Sequence, residues 1–385
     1  MIPYGKQDIT SADINAVVES LKLDFITQGD VVPRFEKSVC DYTNAKYGIA
    51  TNSATSALHI ACLALGLKKG DYLWTTPITF VATANCGLYC GSKVDFVDID
   101  PKTYNISPKA LEEKLIQAEK EGKLPKIVIP VHFAGQSCEM RLIYKLSQKF
   151  GFKIIEDASH AIGGRYDDYS VGSCKYSSIT VFSFHPVKIV TTGEGGMAVT
   201  NSSLLADKMR LFRSHGITRD RKLMSKDSEG DWYYQQINLG YNYRMTDIHA
   251  ALGVSQMQRI DQFISNRYEI KERYDSKLVD MPVIIPFQNI NTKSSFHLYP
   301  IQIKYEVVGR SHKQLFHDMR ALDIGVNLHY IPVHLQPYYG NMGFKEGDFP
   351  NAEKYYSRAM SIPIFNTMTY SQQDKVVDAL QKVLK

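Results

Sequence analysis

Short runs of β-branched and aromatic residues alternate with longer stretches of helical period over the first two-thirds of the chain. That is the pattern of a parallel α/β sheet with helices on its faces. The runs that read as strands are Tyr47–Thr51, Tyr72–Thr75, Val94–Asp98, Ile127–His132, Lys153–Glu156, Ile179–Phe184 and Met197–Thr200. Between them, Ser56–Leu65, Pro108–Glu121 and Arg141–Phe150 have helical patterns; the second is so rich in Lys and Glu that it predicts a solvated outer face. Residues 218–234 are polar and aperiodic, which predicts a long loop, either mobile or reaching a neighbouring subunit. Thr246 reads as the N-cap of a long helix through Ile248, Ala251 and Leu252. Beyond about residue 285, Leu298–Lys304 and Gly325–Tyr330 are strand-like and predict a smaller α+β domain. The expectation is an α/β protein of two domains, 1–245 and 246–385, the second opening on a long linking helix.

Composition agrees with a folded enzyme-sized chain and removes several alternatives. The 385 residues are 44% hydrophobic and 22% charged, which excludes disordered, collagen-like and coiled-coil chains. A net charge of +5 is too mild for a nucleic-acid stripe but suits a pocket for a small anion. No apolar run reaches the roughly 18 residues of a membrane helix, and no secretory signal is visible at the N-terminus. Six cysteines form no CxxC pair, which points to buried thiols in a reducing compartment, and so to the cytosol.

The chemistry concentrates in four segments. In Phe182-Ser-Phe-His-Pro-Val-Lys188, Lys188 is the only Lys or Arg between Lys175 and Lys208, where average density would place about four. Such apolar company predicts a depressed pKa, as a Schiff-base lysine needs; the segment alone fits a surface lysine at a strand end equally well. In Lys153-Ile-Ile-Glu-Asp157-Ala-Ser-His160, Asp157 closes a buried strand at the edge where open α/β sheets bind ligands. An acid there with a lysine one strand later suits pyridoxal 5′-phosphate, with its pyridine nitrogen and aldehyde. Thr51-Asn-Ser-Ala54-Thr55-Ser56 runs from a strand into an apolar helix through hydroxyl residues and reads as a phosphate site or an ordinary cap. Phe80, just after a strand, is placed to stack on a flat ring or to fill the core.

Taken together, and in this order, the segments resemble the DegT/StrS-type sugar-nucleotide aminotransferases. The likeness covers essentially the whole chain, through Phe25-Ile-Thr-Gln-Gly29, Asn52–Ser56, Thr76–Phe80, Glu156–His160, Thr192–Gly196, Leu239–Arg244 and His329–Pro332. It implies the aspartate-aminotransferase fold, fold type I of the pyridoxal-phosphate enzymes, with a large mostly parallel sheet domain and a smaller C-terminal α+β domain. Within the family, Arg213–Gly216, Ser295–Pro300 and Val326–Tyr330 read like the branch that aminates UDP-linked sugars on the pseudaminic acid route. Ile189-Val190 after the lysine and the longer 218–234 loop depart from that branch, and both bear on substrate fit.

The resemblance implies roles residue by residue. Lys188 would bond to the cofactor aldehyde and later carry a proton, and Asp157 would keep the pyridine nitrogen protonated. Phe80 and His160 would lie against the ring, and Ala54, Thr55 and Ser183 would hold the phosphate. Asn242 would reach the phosphate of a second subunit, which makes a homodimer with shared sites part of the expectation. Tyr4, Asp24, Phe25, Ile26, Thr27, Asn327, His329 and Tyr330 fall where the family meets the nucleotide sugar. The implied reaction moves the amino group of L-glutamate to a UDP-linked 4-keto-6-deoxy-N-acetylhexosamine and releases 2-oxoglutarate, the cofactor alternating with pyridoxamine 5′-phosphate. Alternatives are another 4-keto nucleotide sugar, as on bacillosamine-type routes, a dehydratase on the same fold, which would replace the lysine, and a non-catalytic sensor. No metal is expected, because His329 and His334 lack a third ligand. Thr192–Gly196 lacks Walker spacing and predicts a tight turn, with no role apparent for Glu194.

Overall fold

The computed structural model describes all 385 residues. Seven strands form the main sheet: β1 Tyr47–Thr51, β2 Tyr72–Thr75, β3 Lys93–Phe96, β4 Ile127–Ile129, β5 Lys153–Asp157, β6 Ile179–Ser183 and β7 Gly196–Thr200. Their spatial order is β1-β7-β6-β5-β4-β2-β3. The five from β3 to β6 run parallel, whereas β7 is antiparallel to both β6 and β1. The connection between β6 and β7, Phe184–Gly195, is made of turns and holds no helix to cross back over the sheet, as a parallel neighbour would need.

Successive side chains of each strand enter opposite layers, as the pleat requires. After the N-terminal helices α1 (Ser11–Ser20) and α2 (Val31–Thr43), helix α3 (Ala54–Ala64) packs against Leu73, Ile129, Ile155 and Val181. Trp74, Val128 and Ile154 pack against the helices Pro108–Glu121 and Met140–Phe150 through Leu111, Leu115 and Ile143. Ala50, Phe182 and Val199 meet the helices Val31–Thr43 and Asp247–Met257. A further core joins Ile270, Tyr274 and Leu278 to Tyr299, Ile301 and Ile303 and to the C-terminal helix Tyr370–Val383.

Most predicted elements stand within a few residues of their places, and the differences have local causes. The helix after β1 starts at Ala54, not Ser56, because the Ser53 hydroxyl accepts the Ser56 N–H at 3.1 Å and caps it there. The helix capped by Thr246 is two helices, Asp247–Met257 and Ile260–Leu278, broken at Gln258-Arg259. Gly325–Tyr330 is not a strand: its ladder contacts are the isolated bridge Asn327–Ser361 and the Gly325 N–H to the Ile2 carbonyl at 2.7 Å, and its side chains serve the site below instead. The 218–234 segment is closed at its base by a two-residue ladder, Ile217–Thr218 against Gln235–Gln236.

Asp247 fastens the N-terminal segment to this frame. Its buried carboxylate accepts the backbone N–H groups of Gly29, Val31 and Val32 at 2.7, 2.9 and 2.9 Å, at the start of the helix Val31–Thr43. Three charge-assisted bonds leave three donors stranded if the acceptor goes. Asp247→Ala should therefore lower unfolding stability by roughly 3 kcal/mol, measured by urea denaturation, while Asp247→Asn, which keeps an acceptor oxygen, should lose less.

Candidate active site

β5 and β6 end at the same edge of the sheet, with Asp157 directly opposite Val181. β5 delivers Asp157 there, and the turn after β6 delivers Lys188. The Asp157 carboxylate is buried and fully occupied on its own side: it accepts Thr83 Oγ1 at 2.7 Å, Ser159 N–H at 3.1 Å and Ser159 Oγ at 2.6 Å. These bonds fix its orientation without pairing it to the lysine. The Lys188 amine makes no hydrogen bond or ion pair with any group of the chain. Burial pulls its pKa down to about 8, against the opposing pull of the Asp157 charge.

The N-terminus of helix α3 forms the neighbouring wall. Ala54 and Thr55 are its first two residues, so their N–H groups have no partner within the helix. Gly196 lies so close that a Cβ there would come within 2.3 Å of the Ala54 nitrogen. This fit brings the turn after β6 against the helix end and sets Ser183 beside it. The hydroxyls of Thr55 and Ser183 have no hydrogen-bond partner. Free N–H groups and free hydroxyls at a helix N-terminus make a phosphate cradle. With an unpartnered amine and a fixed carboxylate in the same space, the donor set matches the phosphate, aldehyde and ring nitrogen of pyridoxal phosphate.

A single cavity of about 580 Å³ collects these groups. It brings together Tyr4, Ala54, Thr55, Phe80, Asp157, His160, Ser183, Lys188, Asn327, His329 and Tyr330, eleven of the positions singled out from sequence. Phe80 is 59% exposed, so it is a wall of the cavity and not a core residue. Glu194 also lines it. Asn242 and Asp24–Thr27 lie outside the cavity of their own chain. Asn242 is exposed, with its backbone bridged to Ser214, and Thr27 is bridged to Thr246.

Three lining residues escaped the sequence reading. Thr83 reaches Asp157 from a helix 74 positions earlier, and nothing local announces that contact. Ser159, two residues after Asp157, carries the signal of an Asp-x-Ser turn and was legible in principle. His297 is buried with its ring centroid 4.6 Å from that of His160, and its Nδ1 has no partner. Burial first, then the nearby Lys188 and His329 charges, hold the His160 pKa well below the ordinary histidine range. Burial likewise lowers His329, to about 3.

The DegT/DnrJ/EryC1/StrS aminotransferase family matches residues 7–381. The UDP-4-amino-4,6-dideoxy-N-acetyl-beta-L-altrosamine transaminase of Campylobacter jejuni is 38% identical, over 100% of this chain and 98% of its own length. The spore coat polysaccharide biosynthesis protein SpsC of Bacillus subtilis is 37% identical, over 100% and 97%. Among solved structures, Helicobacter pylori PseC, an aminotransferase involved in the biosynthesis of pseudoaminic acid, superposes with a TM-score of 0.91 at 31% identity, covering 100% of this chain and 99% of that one. The chain belongs to the DegT/DnrJ/EryC1/StrS family and is a pyridoxal-phosphate-dependent sugar aminotransferase.

The pKa of Lys188 generates a direct test. An amine lowered to about 8 is the neutral nucleophile above that pH and the charged, inert form below it. Covalent capture of pyridoxal phosphate by the cofactor-free protein should accelerate as pH rises through about 8, followed by absorbance after rapid mixing. Borohydride should then fix the cofactor mass on the peptide carrying Lys188, and Lys188→Ala should show neither signal.

Proposed function

We propose that this chain aminates C4 of a UDP-linked 4-keto-6-deoxy-N-acetylhexosamine at the expense of L-glutamate, releasing 2-oxoglutarate. The keto sugar is the one derived from N-acetylaltrosamine on the pseudaminic acid route. The observation that carries the chemistry is the free Lys188 amine in one cavity with the fixed Asp157 carboxylate and the open N-terminus of helix α3. The sugar assignment draws support from the likeness to the altrosamine transaminase and to PseC. The enzyme is assigned to the cytosol, since its six cysteines are all free thiols, as in a reducing compartment.

Pyridoxal phosphate, when bound, supplies an aldehyde that takes up amines and a ring that draws off electron density from the adjacent carbon. Ala54, Thr55 and Ser183 hold its phosphate by N–H and hydroxyl donors. Asp157 would hold a proton on the ring nitrogen; the bonds from Thr83 and Ser159 keep that carboxylate oriented. Phe80 lines the same cavity and would lie against the ring. The Lys188 amine, half-neutral near pH 8, would take up and return the proton at the donor's α-carbon. Two half-reactions through one site imply ping-pong kinetics.

A second copy of the chain completes the site in this reading. Asn242 and Asp24–Thr27 lie outside their own cavity, in company with exposed apolar side chains: Phe25 is 67% and Leu239 74% exposed. A homodimer would cover that face and carry Asn242 to the partner's phosphate and 24–27 to the partner's nucleotide sugar.

Three outcomes test the proposal. Incubation with glutamate and a panel of 4-keto UDP-sugars, with product structures read by mass and NMR, should give a 4-amino product from the altrosamine-type ketone. Preference for a different ketone would overturn the sugar assignment alone. Asp157→Ala should still capture pyridoxal phosphate, yet lose on the order of 10²-fold or more in turnover, since the ring nitrogen loses its proton. Mixing inactive Asn242→Ala with inactive Lys188→Ala protein should restore activity through hybrid dimers in which one of the two sites has neither lesion. Confirmed subunit exchange without recovered activity would reject the shared site.

A further inference from the structure

The polarity of one hydrogen-bond chain in the cavity wall is fixed by groups that have no choice of role. The turn 132–136 is pinned at its base. The Cys138 N–H donates to His132 Nδ1 at 3.1 Å, so the His132 proton is on Nε2, which donates to the buried Glu156 carboxylate at 2.6 Å. The Phe133 N–H donates to Asn105 Oδ1 at 2.9 Å, and Asn105 Nδ2 returns to the Gln136 carbonyl at 3.0 Å. Within this frame Ala134 has φ 56°, a left-handed conformation that a residue with a Cβ keeps only when its surroundings impose it. Next to it, Gly135 at φ 104° lies where a Cβ would come within 2.5 Å of Ser295 Oγ. The strained turn aims one backbone donor, the Ala134 N–H, at His160 Nδ1, 3.3 Å away.

A backbone N–H is a donor only, so His160 Nδ1 must be the acceptor, and the ring proton of a neutral imidazole must then be on Nε2. Nε2 lies 3.0 Å from the Tyr330 hydroxyl. Two protons cannot share that contact: Nε2–H donates, the Tyr330 oxygen accepts, and the phenolic proton is left free. His160 is the hydroxyl's sole partner, so the proton is available to the cavity that Tyr330 lines. The Ser295 hydroxyl holds the His160 carbonyl at 2.8 Å, and His297 packs on its ring, so the imidazole has little room to turn.

We propose that His160 is a positioning residue locked as the Nε2–H tautomer, and that it directs the Tyr330 hydroxyl as a hydrogen-bond donor to the carbonyl oxygen of the acceptor sugar. Replacement of that oxygen by nitrogen exchanges C=O for C=N and expels the oxygen as water; both hydrogens of the water come, in net, from the incoming amine. Negative charge gathers on the oxygen before it leaves, and a fixed O–H donor stabilises it without being consumed. Burial, with the Asp157 charge and Tyr4 adding to it, raises the Tyr330 pKa, so the hydroxyl keeps its proton at working pH. Burial likewise keeps His160 neutral.

The inference rests on the keto-sugar reading only for its kinetic arm. The first arm needs no turnover: two-dimensional ¹H–¹⁵N spectra of histidine-labelled full-length protein, with and without pyridoxal phosphate, His160 being assigned by its loss in His160→Gln. Expected is an unprotonated Nδ1, a protonated Nε2 and no titration down to about pH 5.5. An Nδ1–H tautomer, or titration in the ordinary histidine range, overturns the lock. The second arm separates the two ring nitrogens in the holoenzyme. His160→Gln places an amide donor where Nε2 stood, whereas His160→Asn keeps only the acceptor toward Ala134. With the 4-keto UDP-sugar, Tyr330→Phe and His160→Asn should each lower kcat by about 10-fold or more at nearly unchanged KM, and His160→Gln should recover most of it. Equal loss in the Gln and Asn variants, or none in Tyr330→Phe, overturns the directing role. Absence of any turnover in the parent protein rejects the sugar reading instead and leaves the spectral result standing.

Discussion

Everything in the site depends on a lysine and an aspartate being brought into one cavity without becoming an ion pair. Left to themselves, a buried ammonium and a buried carboxylate would combine, because each relieves the other's desolvation. Here the carboxylate is satisfied first. Thr83 and Ser159 take up both Asp157 oxygens, at no more than 3.1 Å, and β5 holds the backbone beneath them. Lys188 then has no partner to charge it, and desolvation leaves it half-neutral near pH 8. A pair with salt-bridge geometry would instead raise the lysine and tie up the acid, abolishing a nucleophile and a nitrogen partner together.

That arrangement needs the two strands to end in register and the following turns to approach helix α3 closely. Gly196 permits the second condition, since any Cβ would collide with the Ser53–Ala54 backbone. The antiparallel entry of β7 supplies the geometry: a short turn after Lys188 leads straight into a strand beside β1, whose own end begins helix α3. Anion cradle, amine and carboxylate are consequences of three neighbouring strand ends meeting at one edge.

Much of this was legible in the sequence because it is local. Strand runs, the Ser53 region, Asp157 at a strand end and a solitary lysine in apolar company are all readable within a dozen residues. What was not legible is set by partners far along the chain. Thr83 bonding Asp157, His297 covering His160, and Ala134 in a left-handed turn each depend on tertiary packing. Residues 325–330 misled for the same reason. Their alternation resembles a strand, but they form no ladder beyond one isolated bridge to Ser361 and a bond from Gly325 to Ile2, and Asn327, His329 and Tyr330 line the cavity instead. The direction of β7 follows from the helix-free turns of Phe184–Gly195, which hydrophobic patterning does not report.

The cavity's charge inventory also bears on its ligands. Lys188 is the only lysine or arginine among the lining residues, and burial holds His160, His297 and His329 well below the range in which histidine is charged at neutral pH. Asp157 and Glu194 are acids on the same walls. Phosphate can be met by the N–H groups and hydroxyls at helix α3, but those are used once. On the proposed function, a nucleoside diphosphate and the carboxylates of glutamate would bring several further negative charges that the buried imidazoles of His160, His297 and His329 answer only by hydrogen bonding. Either they remain in solvent at the cavity mouth or cations from outside this chain's cavity reach them. The 218–234 loop holds Arg219, Arg221, Lys222 and Lys226 against Asp220, Asp227, Glu229 and Asp231, so under the shared-site proposal it would offer single cations and no net positive charge. The buried His160, His297 and His329 then make sense as fixed donors and acceptors, with Lys188 the one lysine or arginine on the cavity wall.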